Sequence, residues 1–251
     1  MEESELTKKR LTELLRKSES APYFIFTDFL GLMEQALFHE IKRDFKGARY
    51  SFFGGADGTE RIMIRFGDTE ELGYEEPFPI VTLKIEPVSA KFAENLTHRD
   101  YLGSILGLGI ERSTIGDIII REKTAYVFVK EDMADYVMTS LLKVRRTDVK
   151  LSRAEALPEG ELYRTERRRL QAVGERVDAV IAKLFGISRE DSLSLFKKGL
   201  VFADGRQILS PSYIPKESEL ISVRGHGRFI YRGYETLTKK GRLNIEVDLY
   251  V

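Results

Sequence analysis

Between Arg176 and Arg242 the chain places its cations at the ends of elements rather than along them. Arg176 precedes one apolar stripe, and Ser188 and Arg189 open a second. Lys197 and Lys198 close that second stripe, and Arg206 follows an Asp-Gly turn. Arg224 and Arg228 flank two glycines, while Lys239, Lys240 and Arg242 make a further basic cluster. Lysines and arginines fixed on helix ends and tight turns meet regularly spaced negative charge at lower entropic cost than a flexible tail would. The chemistry they suit is contact with a phosphate backbone.

Proton-transfer and group-transfer chemistry finds no comparable support. His98-Arg99-Asp100 has the letters of a kinase catalytic loop, but no glycine-rich loop or Asp-Phe-Gly accompanies it. His98 is expected to cap or pack a helix start. Gly107 to Arg112 breaks the dinucleotide pattern at Arg112. Three histidines, His39, His98 and His226, stand without ligand spacing, and the chain has no cysteine, so no metal site, cofactor or thiol nucleophile is expected. Catalytic residues are expected to be none. Two other classes stay open: an RNA-modifying enzyme built on Arg99/Asp100 and Arg112/Asp117, and a protein-interaction module whose basic part docks on an acidic partner.

The 251 residues are 42% hydrophobic and 32% charged, enough for packed cores and long enough for two or three small domains. Formal net charge is +0, but it divides unevenly: residues 1–163 hold 23 Lys+Arg against 29 Asp+Glu, and residues 164–251 hold 17 against 11. The basic third is where an anionic partner belongs. No apolar run reaches the length of a membrane span, and the acidic start "MEESELTKKR" does not resemble a leader, so a cytoplasmic protein is expected.

The elements that must position these residues follow from periodicity, and they predict an α+β chain. Residues 2–17 read as a polar helix, and "FTDFLGLMEQALFHEIKRDF" as an amphipathic one capped by Thr27 or Asp28. "YSFFGGADGTERIMIRFG" gives two strands about a glycine-rich turn, closing an N-terminal unit of residues 1–76. Residues 77–160 then run strand, helix, strand, strand, helix, strand. This is the ferredoxin-like βαββαβ order shared by RNA-recognition modules, with Tyr126 and Phe128 on one face for base stacking or for packing under the N-terminal unit. "LPEGELYRTERRRLQ" reads as a charged linker or an edge segment.

In the last unit, 165–251, Val177, Val180, Ile181 and Leu184 form one helical stripe, with Arg176, Asp178 and Lys183 off it and Gly186 as the stop; the alternative to an RNA role is Arg176 paired with Asp178 or Glu175, and Lys197 and Lys198 as solubilising charges. Ser188 caps a second helix, answered by Asp191, with Leu193, Phe196 and Leu200 buried and Gly199 at its end. Asp204-Gly205 sets a hairpin. "LISVRGHGRFIY" is expected as one strand, in which Gly225 and Gly227 permit close backbone approach.

"RVDAVIAKLFGISREDSLSLFKKGLVFADGR" and "SPSYIPKESELISVRGHGRF" resemble the S4 RNA-binding domain, a compact αL-motif unit. "HRDYLGSILGLGIERSTIGDI" and "RGHGRF…TKKGR" in this order make the whole chain similar to the YlmH-type S4-domain proteins. Val177, Ser192 and Ala203-Asp204 depart from the usual Leu, Ala and Val-Asn of the domain, the last adding an acid beside the basic edge. The resemblance implies a non-catalytic binder of structured RNA, rRNA or tRNA, on the large ribosomal subunit. It also implies a part in ribosome-associated quality control of stalled nascent chains and a link to bacterial cell-division gene clusters.

Overall fold

The structure is a computed structural model that describes residues 3–158, 163–237 and 242–251. It has two compact units, Met1–Leu162 and Tyr163–Val251. The stretches expected as separate N-terminal and central units thus fall within the first.

The first unit begins with α1 (Glu3–Ser18), β1 (Ile25–Phe26), α2 (Leu32–Ile41), β2 (Tyr50–Phe53), β3 (Met63–Phe66) and the short α3 (Thr69–Leu72). The strands form an antiparallel sheet in the order β1-β3-β2. Leu11 and Leu15, four apart on α1, are buried with Phe38, Ile64 and Phe66. Thr27 and Asp28 do not cap α2, which starts later at Gly31, whose N–H donates to Glu34. The Thr27 hydroxyl instead accepts the Ile64 N–H at 2.9 Å, and Asp28 pairs with Arg10 and Lys130. A cap-type residue is equally suited to satisfying a neighbouring strand, and here the sheet claims it.

The unit continues with β4 (Ile80–Pro87), α4 (His98–Leu106), β5 (Ile115–Arg121), β6 (Thr124–Lys130), α5 (Glu131–Ser140), β7 (Lys143–Val144) and β8 (Thr147–Arg153). Their antiparallel sheet has the order β5-β6-β4-β8-β7. Tyr101 and Ile105 of α4 and Ala134 and Val137 of α5 share one buried core with Leu83, Ile85, Val127 and Val129. α5 ends at Ser140, because Lys143 and Val144 turn back to pair with β8. Thr97, not His98, precedes the first turn of α4; its N–H and hydroxyl both donate to Asp100, and His98 is exposed.

Phe128 faces the other way and is fully buried. A Cβ on Gly55, whose φ is +103°, would come within 2.2 Å of the Phe128 ring, and one on Gly116 within 2.7 Å of Phe29. Both glycines permit a contact that any side chain would block. Phe128 therefore packs under the N-terminal segment and is not a base-stacking surface. Polar contacts reinforce the seam: Asp117 accepts the backbone N–H groups of Glu60 and Arg61, and Arg61 donates to the carbonyls of Phe29, Arg112 and Ile115. Asp100 is likewise engaged, in the α4 cap and with Arg145. Of the residues weighed for catalysis, Asp100, Arg112 and Asp117 hold structure together, while Arg99 is exposed. Burial, with the nearby Arg61 cation second, lowers Arg112 to about 10.

The second unit comprises β9 (Thr165–Ala172), α6 (Val177–Phe185), α7 (Arg189–Lys197), β10 (Val201–Ala203), β11 (Arg206–Gln207), β12 (Leu220–Val223), β13 (Gly227–Leu237) and β14 (Leu243–Tyr250). They form one sheet, β11-β10-β12-β13-β14-β9. From Thr165 onward the charged segment is thus an edge strand, paired through Ala172 with β14. "LISVRGHGRFIY" is two strands joined by a turn at residues 224–226. Gly225 and Gly227, at φ +84° and +137°, supply left-handed turn positions; a Cβ on Gly225 would meet nothing, so close approach is not its purpose. Asp204 and Gly205 adopt φ +45° and +72°, as a tight hairpin turn requires.

β9 is held by charge. Arg167 donates to Asp248 at 2.5 Å and Arg169 to Glu246 at 2.8 Å, while Arg232 reaches Asp248 at 2.7 Å. Burial pushes the Asp248 carboxyl up, but the bonds from Arg167 and Arg232 outweigh it and hold the group below its ordinary value. A carboxyl whose pKa is lowered by folding stabilises the fold above the unfolded pKa, about 4, and loses that contribution as pH falls through the folded value. The melting temperature of the protein should therefore fall as pH drops below about 5 and on through the folded value. Asp248→Asn should melt lower at neutral pH and show a flatter acid limb; equal acid limbs for both proteins would count against the ladder.

Candidate nucleic-acid interface

α6 begins without a side-chain cap. Its first free N–H groups are satisfied by the chain itself, Val177 donating to the Tyr213 carbonyl at 2.8 Å and Asp178 to that of Pro211 at 3.3 Å. Gly186, at φ +64°, ends it, and two residues later Ser188 starts α7. The Ser188 hydroxyl accepts the Asp191 N–H at 3.0 Å and donates to the Asp191 carboxylate at 2.6 Å. Ser188 thus serves the helix start and fixes where Arg189 emerges. On α7, Leu195 and Phe196 are buried with Ser192, while Leu193 is only half-buried, as is Leu200 beyond the helix's end.

Asp178 is the residue that the helical stripe misplaces. It is fully buried, not off the core. Its carboxylate receives Arg176 Nε at 3.0 Å and lies 3.4 Å from Arg189 Nε, while its carbonyl accepts the Ser192 hydroxyl at 2.8 Å. The two arginine side chains keep 45% and 64% of their surface exposed. One buried acid therefore aims two solvent-facing guanidiniums, a planar fork geometry that also suits phosphate. Ser192, where the S4 pattern has alanine, spends its hydroxyl on this same support.

A cleft of about 650 Å³ opens beside them, with Ala172, Ala179, Ala182 and Ile187 in its lining and Arg176, Lys183, Arg189 and Arg242 as its charged members. Among the described residues no carboxylate lines it. The structure thus gathers three of the predicted residues, Arg176, Arg189 and Arg242, and adds Lys183, visible in the sequence only as the one cation on the outer face of α6.

The remaining predicted residues fall elsewhere. Lys197 and Lys198 are exposed at the far end of α7, nine residues and about 13 Å along. Arg224 joins them there, its N–H donating to the Leu200 carbonyl. Arg206 lies 3.5 Å from buried Glu219, which also accepts the Tyr213 hydroxyl; burial and this bond push Tyr213 up to about 12. Arg228 leaves the rim: its guanidinium lies 4.4 Å from the Tyr163 ring and 4.3 Å from that of Tyr250. Lys239 and Lys240 lie outside the described residues. Asp204 is exposed, but its carboxylate accepts the Leu220 N–H at 3.0 Å, so the acid in the hairpin turn ties β12 in place. Among the described residues no group of three or more His, Asp or Glu could hold a metal ion, and no helix is long and apolar enough to cross a membrane.

Comparison with known proteins gives the class first. Residues 74–157, which include the β5-β6-β4-β8-β7 sheet and its helices, match the family described as a putative RNA-binding domain in YlmH. The resemblance to YlmH-type proteins extends beyond it: the chain is 28% identical over 233 residues to the ribosome-associated protein quality control protein P2 of Bacillus subtilis (strain 168), covering 88% of this chain and 86% of that one. In fold it is similar to the cell division protein ylmH from Streptococcus pneumoniae, at 21% identity and a TM-score of 0.51, over 61% of this chain and 92% of that one.

Proposed function

We propose that the chain is a non-catalytic RNA-binding protein of the ribosome, and that its second unit is an S4-type domain gripping structured rRNA or tRNA. The observation that carries this reading is the carboxylate-free cleft with four cations, two of them aimed by a buried aspartate. Phosphates flanking a helical turn of RNA present negative charge at fixed spacing, and cations already held in place contact them with little ordering cost. The strand order of the central sheet supports a ferredoxin-like domain at 77–160, and the division of the chain supports an S4 domain at 165–251. The name of the Bacillus subtilis relative supports a task in quality control at the ribosome, which we place on the large subunit in the cytoplasm, with RNA as the partner and no cofactor.

The test is binding of the full chain to a ribosomal RNA hairpin across a salt series. Four phosphate contacts in the cleft predict a log–log slope of magnitude at least about 3; a slope near zero, or no binding at low salt, would overturn the proposal. Lys197→Glu with Lys198→Glu should weaken binding about tenfold and flatten the slope, as a second basic group on the same unit. Unchanged affinity in that folded variant would remove the end of α7 from the interface.

A further inference from the structure

In the first unit, the loop between β4 and α4 carries Phe92 with 79% of its surface exposed, and Val88 with 64%. Leaving a phenylalanine in water forfeits most of the gain that burial offers. The loop is nevertheless tied down. Val88 N–H donates to the Asp148 carbonyl at 2.9 Å and Glu94 N–H to the Thr147 hydroxyl at 3.2 Å. The Lys123 ammonium donates to the Ala90 and Ala93 carbonyls at 2.7 and 3.2 Å, and the Glu94 carboxylate accepts the Arg146 N–H at 3.1 Å. A strapped loop with an aromatic at its tip is a preorganised surface.

Its charge is equally specific. Lys91 Nζ stands 5.6 Å from the Phe92 ring centre. The two-residue turn of the β7–β8 hairpin, anchored to this loop through Glu94, is Arg145-Arg146, with Arg145 at φ +53°. Asparagine or glycine would take that left-handed position with less strain. Arg145 is paired with Asp100, and Arg146 is exposed.

We infer that Phe92, with Lys91 beside it and Arg146 on the hairpin that Glu94 ties to its loop, is a stacking platform for an unpaired base of single-stranded RNA. A base-paired duplex keeps its bases stacked on one another and cannot offer a face to Phe92, whereas an unpaired stretch offers a base to the ring and its phosphates to the two cations. Phe92 and Val88, even with exposed Leu142 at the foot of the hairpin, make far too small an apolar patch for a stable protein interface. The inference rests on RNA being the partner, but on a different surface from the cleft.

The experiment uses the full chain carrying Lys183→Glu and Arg242→Glu, so that the cleft does not compete. The probe is an unstructured RNA of about 12 nucleotides with 2-aminopurine as a stacking reporter. The platform should quench the reporter. Phe92→Ala should weaken binding about 5- to 100-fold and abolish the quench, while Phe92→Tyr should keep both. Melting temperature checks that each variant is folded. An alanine variant that binds within about twofold and still quenches overturns the inference while leaving the cleft reading intact. Unchanged RNA binding, with loss of a ribonuclease-resistant partner from a pull-down, overturns it in favour of protein docking. An unaltered chain that binds neither this probe nor the hairpin overturns both readings.

Discussion

Lys183→Glu combined with Arg242→Glu is expected to weaken binding of a structured RNA about a hundredfold at moderate salt, and to reduce the magnitude of the salt slope by about 2. Charged hydrogen bonds are each worth about 1.5–3 kcal/mol, and each reversed charge also repels the phosphate it had attracted. The choice of residues matters. Both line the cleft, and neither pairs with Asp178. Reversing Arg176 or Arg189 would remove one of the two partners of a fully buried carboxylate and set a second acid beside it, at a cost of about 3–5 kcal/mol, and weaker binding could then mean failed folding. With Lys183 and Arg242 the fold should survive, which a melting curve checks. A folded double variant with the original affinity and salt slope would remove the cleft from the RNA interface.

Much of the second unit was legible because its signals are local. Gly186, Ser188 and Asp204-Gly205 each act within a few residues, and each adopts the conformation its type predicts. β9 gave no such signal. "TERRRLQA" has no apolar alternation, and its stabilising partners, Glu235, Glu246 and Asp248, come from strands more than sixty residues away. Thr27 was misread for the same reason, since its hydroxyl answers Ile64 on a neighbouring strand. The cleft was half legible. Arginines at element ends could be seen, but not that Arg228 would sit between two tyrosines or that Lys183 would face the same space as Arg242. The pairing of Arg176 with Asp178 was visible from their spacing, but the burial of Asp178 was the least visible feature. A helical stripe assigns an acid to solvent, and only the return of α7 past α6 encloses it between two arginines and Ser192.

Asp178→Asn separates two accounts of how the cleft works. If charge alone governed binding, removing an acid from under two arginines would raise affinity, since the site becomes more positive. If Asp178 acts by aiming Arg176 and Arg189, affinity should instead fall. Each released guanidinium regains rotamer freedom that binding must remove again, about 1 kcal/mol per side chain, so the two together predict a loss of about thirtyfold. The fold should also lose about 2 kcal/mol, less than for a pair buried on both sides, because both arginines remain about half exposed. The salt slope completes the distinction. The same cations still reach the same phosphates, so the slope should stay as in the unaltered chain while affinity drops, unlike the double reversal at Lys183 and Arg242, where both fall. Tighter binding by the asparagine variant would show that the buried carboxylate opposes RNA and that the two arginines need no support.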